Sequence, residues 1–192
     1  NQAAEDSPFR NEKLRQAISY SLNRQQIVDQ ILGNGSLPAV GFVPSDLAFN
    51  PETKTDFVKD AGTSLPYDEE QAKKLWEQAK SELGKDTLTF ELLTSDTDQS
   101  KKLAEYIQGT LQQTLEGLTV EVTNVPFSVR LDRSNSGDFE MVMNNWIGDY
   151  ADPINFLELF KKDSSYTRGK WLDDTYDNLI SAASDAYAND PQ

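Results

Sequence analysis

The sequence predicts an α/β fold with a parallel βαβαβ core and flanking helices. Residues 87–94 alternate apolar and polar side chains as a half-buried strand does, and residues 118–123 repeat the pattern. Phe139 to Met143 form a short apolar run that suits a strand buried on both faces. A helical pattern separates the first two strands, and a strand, a helix and a strand in this order make a parallel pair through a right-handed crossover.

Two helices are predicted near the start of the chain. The first has an apolar face, Asn23 breaks it, and Gly33 ends the second. The apolar positions are Leu14, Ala17, Ile18 and Leu22 in the first helix and Ile27, Val28, Ile31 and Leu32 in the second. From residue 37 to residue 66 the density of Pro and Gly excludes long regular elements, so we expect a wrapped surface segment.

A third helix is predicted to begin after Asp68, which caps it, and to stop at Gly84. Its apolar face comprises Ala72, Leu75, Trp76, Ala79 and Leu83. Trp76 could stack on a ligand, but its helical spacing favours a place in the core.

Further helices are expected around the strands. The turn at residues 95–98 is rich in capping residues, and the helix after it ends at Gly117. A short helix is predicted from Pro126 to Arg133. Beyond the third strand we expect a short, mostly buried helix, and Asp173 caps a last one. The helix after residues 95–98 carries Leu103, Tyr106, Ile107, Leu111 and Leu115. The short buried helix carries Ile154, Phe156, Leu157, Leu159 and Phe160, and the last helix carries Tyr176, Leu179, Ile180, Ala183 and Tyr187.

Composition excludes several classes of function. The net charge of −14 opposes binding to nucleic acid and to anionic membranes. The chain has no Cys and no His, so the common thiol nucleophile, general base and transition-metal ligands are missing, and we expect no cofactor. Its many Asp residues do not follow the spacing of a calcium loop, so no metal is expected. No apolar segment is nearly as long as a membrane-spanning helix, which needs about 20 residues.

The length of 192 residues suits one domain. We expect residues 1–66 to form the helix pair and the wrapped segment, and residues 67–192 the βαβαβ core with the C-terminal helices. The first residues are not a signal peptide, and the chain opens without Met. It is therefore either cytosolic or preceded by an export signal upstream, and the missing Met favours the second.

The third strand leads into the stretch that carries the candidate site. Asn144, Asn145, Trp146, Gly148, Asp149 and Tyr150 bring amide, indole, backbone and carboxylate groups to the carboxyl end of that strand, where open α/β sheets bind ligands. Asp152 and Pro153 then start a helix, with Asp152 as its cap and Pro153 at the first helical position.

Asp149 has no capping role, which leaves two interpretations. It is a solvated loop carboxylate, or it is the anchor for a cationic ligand group, since a carboxylate flanked by Trp and Tyr is suited to an ammonium. Asp149 and Asp152 could also form a catalytic pair, but the capping role already explains Asp152.

The motif Trp-x-x-Asp-Tyr-x-Asp-Pro-x-x-Phe-Leu at residues 146–157 resembles the signature of the family 5 extracytoplasmic solute-binding proteins. Residues 9–28 are similar to the helix pair that opens the second lobe of that family, and residues 65–76 are a weaker match. The resemblance implies one lobe of a type II periplasmic-binding-protein-like fold. It also implies that the segment at residues 37–66 packs onto the lobe through Val40, Phe42, Val43, Leu47, Phe49 and Phe57.

The resemblance further implies capture of an oligopeptide for the permease subunits of an ABC importer. Residues 1–192 would be a lobe excised from a larger two-lobed protein whose N-terminal lobe is missing here. Asp149 would bind the α-ammonium of the peptide, while Asn145, Trp146, Gly148 and Tyr150 complete the substrate-binding site. The protein would be an extracytoplasmic monomer, as a cell-surface lipoprotein or in the periplasm, and no enzyme.

Three alternatives remain at this point. Other members of the family bind a sugar or a metal chelate. A carboxylate-dependent hydrolase could use Asp149 with Asp152 or Glu158. The chain could also be a protein-interaction domain.

Overall fold

The computed structural model describes residues 1–62 and 64–185. Its contacts divide the chain into two compact units. Unit 1 consists of Asn1–Pro38 and Leu65–Asn144, and unit 2 consists of Ala39–Ser64 and the chain from Asn145 onward. The expectation that residues 1–192 form a single lobe of a larger protein stays a prediction.

A parallel sheet in unit 1 confirms the α/β prediction. Its strands are β1 (Leu88–Ser95), β2 (Leu118–Val125) and β3 (Met141–Val142), in the order β2-β1-β3. The strand β1 pairs with β2 from Leu88↔Leu118 to Ser95↔Val125, and with β3 at Leu92↔Met141 and Leu93↔Val142. The helices are α1 (Glu12–Ser21), α2 (Arg24–Gln26), α3 (Phe57–Asp60), α4 (Glu69–Leu83), α5 (Asp98–Thr114), α6 (Phe127–Ser136), α7 (Ile154–Leu157) and α8 (Asp174–Asp185).

The third strand differs from the prediction. The sequence predicted a strand from Phe139 to Met143 buried on both faces, but β3 has only two residues and both are half-buried. Within the described sheet β3 lies at the edge, so it has one neighbour. The pairing also begins later than predicted: just before it, the backbone N–H of Glu91 donates to the Glu140 carboxylate (2.7 Å).

The central strand β1 is covered on both faces. Leu88, Phe90 and Leu92 point into the core formed with α1, α4 and α5. The opposite face meets α6, where the Arg130 guanidinium donates to Ser95 Oγ (3.0 Å) and Arg133 forms two hydrogen bonds to the Glu91 carboxylate (2.8 and 3.1 Å). Successive side chains of a strand alternate between faces, so the alternation in β1 determines both layers.

The predicted ends of α4 are confirmed. Of its predicted apolar face, Ala72, Leu75, Trp76 and Ala79 are buried, whereas Leu83 is only partly buried. The Asp68 carboxylate accepts a hydrogen bond from the Gln71 N–H (2.9 Å), and Gly84 follows the last turn. Trp76 is only 1% exposed, and its indole N–H donates to the Glu116 carbonyl (2.8 Å). The core interpretation of Trp76 is therefore right.

The second predicted helix winds differently from an α-helix. Asn23 separates the two helices, as expected, and caps α2, but after three residues the chain continues as a π-helix over Ile27–Leu32, which ends at Gly33. Of the four apolar residues predicted on its face, only Val28 is fully buried.

Unit 2 has a small core. It buries Val43, Val58, Phe156 and Ile180. A 3-10 turn, Glu158–Phe160, follows α7. Two expectations are wrong here. In the wrapped segment Phe49 is 53% exposed, and Phe42 is 68% exposed although its ring contacts Phe160. In α8, Leu179 is 65% exposed and Ala183 is exposed too. The predicted face of α8 included Tyr187, which lies outside the described residues. In the described part of the chain, no helix is long and apolar enough to cross a membrane.

We expect opposite effects from adding one methyl group at two glycines of unit 1. Gly117 connects α5 to β2 with a φ of +87°, and a Cβ there would lie 2.8 Å from the Asp86 carbonyl oxygen. Gly109 lies within α5, where a Cβ would meet nothing within 4 Å. Gly117→Ala should lower the free energy of unfolding by more than about 1–2 kcal/mol, whereas Gly109→Ala should raise it by about 0.5–1 kcal/mol. Urea unfolding measures both changes. Equal effects would contradict the close contact at Gly117 and the open space at Gly109.

Candidate functional site

The loop of residues 145–150 is attached to unit 2 through Trp146. The indole N–H of Trp146 donates to Asn155 Oδ1 (2.8 Å), at the first turn of α7. The Trp146 ring also meets the edge of the Tyr166 ring, with the centroids 4.8 Å apart. Trp146 is half-buried, so one part of the ring packs while another part stays accessible.

Gly148 is the second point of attachment. A Cβ at this residue would lie 3.0 Å and 3.1 Å from two ring carbons of Phe156 and 3.4 Å from Asn155 Oδ1. The space that a side chain would fill is therefore occupied by α7. Close packing, and not an unusual φ, requires glycine here. The loop backbone lies directly against the helix, and its other side remains exposed.

The remaining side chains of the loop are exposed. Asn145 and Asp149 are exposed, Tyr150 is 51% exposed and Ile147 is 82% exposed. Among the described residues, none makes a hydrogen bond or ion pair with the Asp149 carboxylate. The loop thus fixes Trp146 and Gly148 and leaves a carboxylate and a phenol accessible.

The turn after the loop is fixed by Asp152. Its carboxylate accepts a hydrogen bond from the Ile154 N–H (2.8 Å), and its own N–H donates to the Tyr150 carbonyl (3.1 Å). The Asp152 carboxylate thus binds the first helical N–H, but the capping position itself is occupied by Pro153 and not by Asp152 as predicted. The helix begins one residue later than predicted, so Pro153 precedes the first helical position.

Polar contacts fix α7 and the turn after it from the side of α8. The Tyr176 hydroxyl donates to the Leu157 carbonyl (2.6 Å), and burial raises the pKa of Tyr176, with the nearby Asp177 carboxylate adding to the effect. The Asp177 carboxylate accepts from the Lys162 N–H (3.1 Å), and Asp173 caps α8 as predicted. These contacts attach α7 and the turn after it to α8.

Asn144 has a separate role in unit 1. Its side-chain oxygen accepts a close hydrogen bond from the Arg130 guanidinium, which also binds Ser95 at the end of β1. Arg130 is buried, and the ring of Phe127 covers its guanidinium at 4.9 Å. These contacts fix the chain just before it leaves unit 1 at Asn144.

The sequence identified the loop but not what supports it. Asn155, Phe156 and Tyr166 were given no role in the site, and Asn155 is almost fully buried. A polar residue within an otherwise apolar four-residue helix is a signal that could have identified Asn155, because a buried amide needs a partner. No pattern in the sequence points to Tyr166, which is 20 positions from Trp146 along the chain.

The parallel sheet with its flanking helices matches a fragment of the periplasmic-binding-protein fold. The family model described as bacterial extracellular solute-binding proteins, family 5 Middle, matches residues 1–168. The chain belongs to this family.

Solved structures and curated relatives agree with this assignment. A crystal structure of the peptide-binding protein of a peptide ABC transporter is 52% identical with a TM-score of 0.95, over 100% of this chain and 84% of that one. Listeria monocytogenes OppA bound to peptide is 38% identical with a TM-score of 0.90, over 94% of this chain and 36% of that one. The dipeptide-binding protein of Lactococcus lactis is 38% identical over 174 residues, which is 90% of this chain and 31% of that protein. The chain thus spans about a third of the length of the curated relatives that it matches.

Gly148→Ala should destabilise unit 2, because Phe156 must move by a few tenths of an ångström to admit the methyl group. Overpacking of this kind costs about 1–3 kcal/mol. Urea unfolding followed by the fluorescence of the chain measures the change. Gly169→Ala is the matched control, since a Cβ there would meet nothing within 4 Å. A Gly148→Ala variant as stable as the control would contradict the packing role.

Proposed function

We propose that the chain is the substrate-capturing lobe of an extracytoplasmic oligopeptide-binding protein that delivers peptides to an ABC importer. The curated relatives support a peptide as the solute, because they are dipeptide- and oligopeptide-binding proteins. The protein would act outside the cytoplasmic membrane, as a cell-surface lipoprotein or in the periplasm. Its partners would be the peptide, the permease subunits and the N-terminal lobe of the same protein.

The accessible carboxylate of Asp149 is the observation that carries the proposal. It lies one residue after a glycine that packs against α7 and three residues after an indole that is hydrogen-bonded to it. A carboxylate on a braced loop, without a cation from the described residues, is suited to the α-ammonium of a peptide.

The rest of the loop supplies backbone and surface to the ligand. Asn145, Gly148 and Tyr150 would offer main-chain hydrogen bonds to an extended peptide, and the accessible part of the Trp146 ring would form a wall. Main-chain bonds act on every peptide alike, so affinity would depend little on the side chains of the ligand. Water in roomy side-chain pockets would add to this tolerance.

Catalysis and non-peptide ligands have less support. Asp152, the first candidate partner of Asp149 in a hydrolase, already binds the first turn of α7. Members of this family are solute-binding proteins, and we propose no catalytic role for Asp149 or Glu158. A sugar or a metal chelate would not need a carboxylate for an ammonium. We therefore assign the site to a peptide.

Asp149→Asn in the full-length protein should weaken peptide binding by at least tenfold. In a closed cleft the substitution strands the cation of the peptide beside a neutral amide, and breaking such a pair costs about 2–5 kcal/mol. Acetylation of the peptide amine should weaken wild-type binding as well. The two changes should not be additive, because each removes one end of the same interaction. Calorimetric titration of both proteins with both peptides measures the coupling.

Asp163→Asn is the matched control, since it removes one exposed carboxylate from the same unit. It should leave the affinity and the effect of acetylation unchanged. Full additivity of Asp149→Asn with acetylation would mean that Asp149 and the amine never meet, and the anchor would then have to be another residue.

The isolated chain of 192 residues should bind the same peptide far more weakly than the full-length protein. Closure of two lobes around a hinge supplies contacts from both sides, and one lobe leaves the loop facing water. Titration of both proteins with one peptide tests this. Comparable affinities would mean that the second lobe contributes little to binding.

A further inference from the structure

Asn155 is a buried amide in an apolar setting. It lies in α7 beside Phe156 and is only 2% exposed, which makes it one of the most completely buried polar residues of unit 2. A buried amide is unfavourable unless its groups are hydrogen-bonded, so its presence calls for a physical reason. Capping is not that reason, since Asp152 binds the first free N–H of the helix.

The side-chain oxygen of Asn155 faces both fixed points of the loop. It accepts the hydrogen bond of the Trp146 indole (2.8 Å), and it lies 3.4 Å from the position of a Cβ on Gly148. This oxygen therefore binds Trp146 and borders the space beside Gly148, and these two residues flank the exposed Ile147. The edge contact of Tyr166 with the Trp146 ring then restrains the ring from another direction.

From this geometry we propose that Asn155 is a positioning residue of the binding site, which sets the orientation of the Trp146 ring and the path of the loop to Asp149. The inference rests on the proposed function, and it adds a residue that does not itself touch the peptide. The hydrogen bond defines which edge of the indole faces the protein and which part of the ring faces the ligand.

The chemistry of the position explains why an amide suits it. Leucine has nearly the same size but cannot accept the indole hydrogen bond, so the N–H of Trp146 would lose its partner. Serine is too short to reach the indole from the same backbone. Aspartate keeps the acceptor oxygen but introduces a charge into a buried position, which costs stability.

A fixed Trp146 also affects the affinity for the ligand. A side chain that is already ordered before binding loses less conformational freedom when the peptide arrives. Without the hydrogen bond, the ring would sample other rotamers, and the peptide would have to order it. Asn155 thus acts on peptide affinity through Trp146.

The test combines a signal from Trp146 with peptide binding. Nitrogen–proton correlation spectra of the 192-residue chain contain the indole signals of Trp76, Trp146 and Trp171, which Trp146→Phe and Trp171→Phe assign. Asn155→Leu should shift the Trp146 indole signal and speed its exchange with water. The Trp76 signal should not move, because its partner is the Glu116 carbonyl in unit 1. Asn155→Asp, which keeps the acceptor, should leave the exchange of the Trp146 N–H with water as slow as in the wild type, although the added charge shifts the signal.

Peptide affinity of the full-length variants provides the second measurement. Asn155→Leu should bind about fivefold to tenfold more weakly than the wild type. Tyr176→Phe is the matched control, because it also removes one side-chain hydrogen bond to α7 without touching Trp146. It should lower the stability while leaving the Trp146 signal and the peptide affinity unchanged.

The outcomes are distinguishable. Wild-type affinity and an unmoved Trp146 signal in Asn155→Leu would overturn the positioning role. A similar loss of affinity in Tyr176→Phe would also overturn it, because general destabilisation of α7 would then explain both. If the wild-type protein binds no peptide at all, the proposed function fails, and the Trp146 signal alone decides whether Asn155 orients the ring.

Discussion

The structure of unit 1 depends on the double coverage of β1. This strand is hydrogen-bonded along its whole length to β2 and at two positions to β3. A buried strand must pair its backbone groups and cover both of its faces, since unpaired groups away from water are costly. The Glu140 carboxylate satisfies the backbone N–H of Glu91 just before β3 begins. On the face covered by α6, the Arg130 guanidinium connects the end of β1 to Asn144. The residue that precedes the candidate site is thereby fixed by the sheet.

Periodicity predicted those parts of the fold in which burial follows a simple repeat. The alternation in β1 and β2 and the apolar stripes of α1, α4 and α5 are all found where the sequence indicated. Periodicity failed where contacts with other parts of the chain decide how long a strand is or whether a residue is buried. Phe139 is buried but lies outside β3, because the extent of a strand depends on its pairing partner. In α8, Leu179 follows the helical repeat and yet is exposed, since a repeat shows which residues share a face and not whether anything covers that face.

The sequence predicted which residues form the candidate site, but it did not predict which residues hold them in place. The chemistry of Trp146, Gly148 and Asp149 can be read from neighbouring letters of the sequence, because the three belong to one loop. Asn155, Phe156 and Tyr166 hold them in place. Contacts of this kind join residues that are apart along the chain, so they depend on the tertiary fold. The structure also changes the reason for Gly148. Its missing side chain makes room for the Phe156 ring, whereas the sequence suggested only an accessible backbone for the ligand.

The division of the chain has a consequence for its synthesis. The segment Ala39–Ser64 belongs to the same unit as the chain from Asn145 onward, and Phe42 rests against Phe160 with the ring centroids 4.3 Å apart. On a ribosome the first segment emerges about 80 residues ahead of its partner, which at about 5–20 residues per second is a delay of roughly 4–16 s. During that interval Val43 and Val58 have no core to enter. The first segment therefore remains without its core until the chain beyond Asn144 has followed.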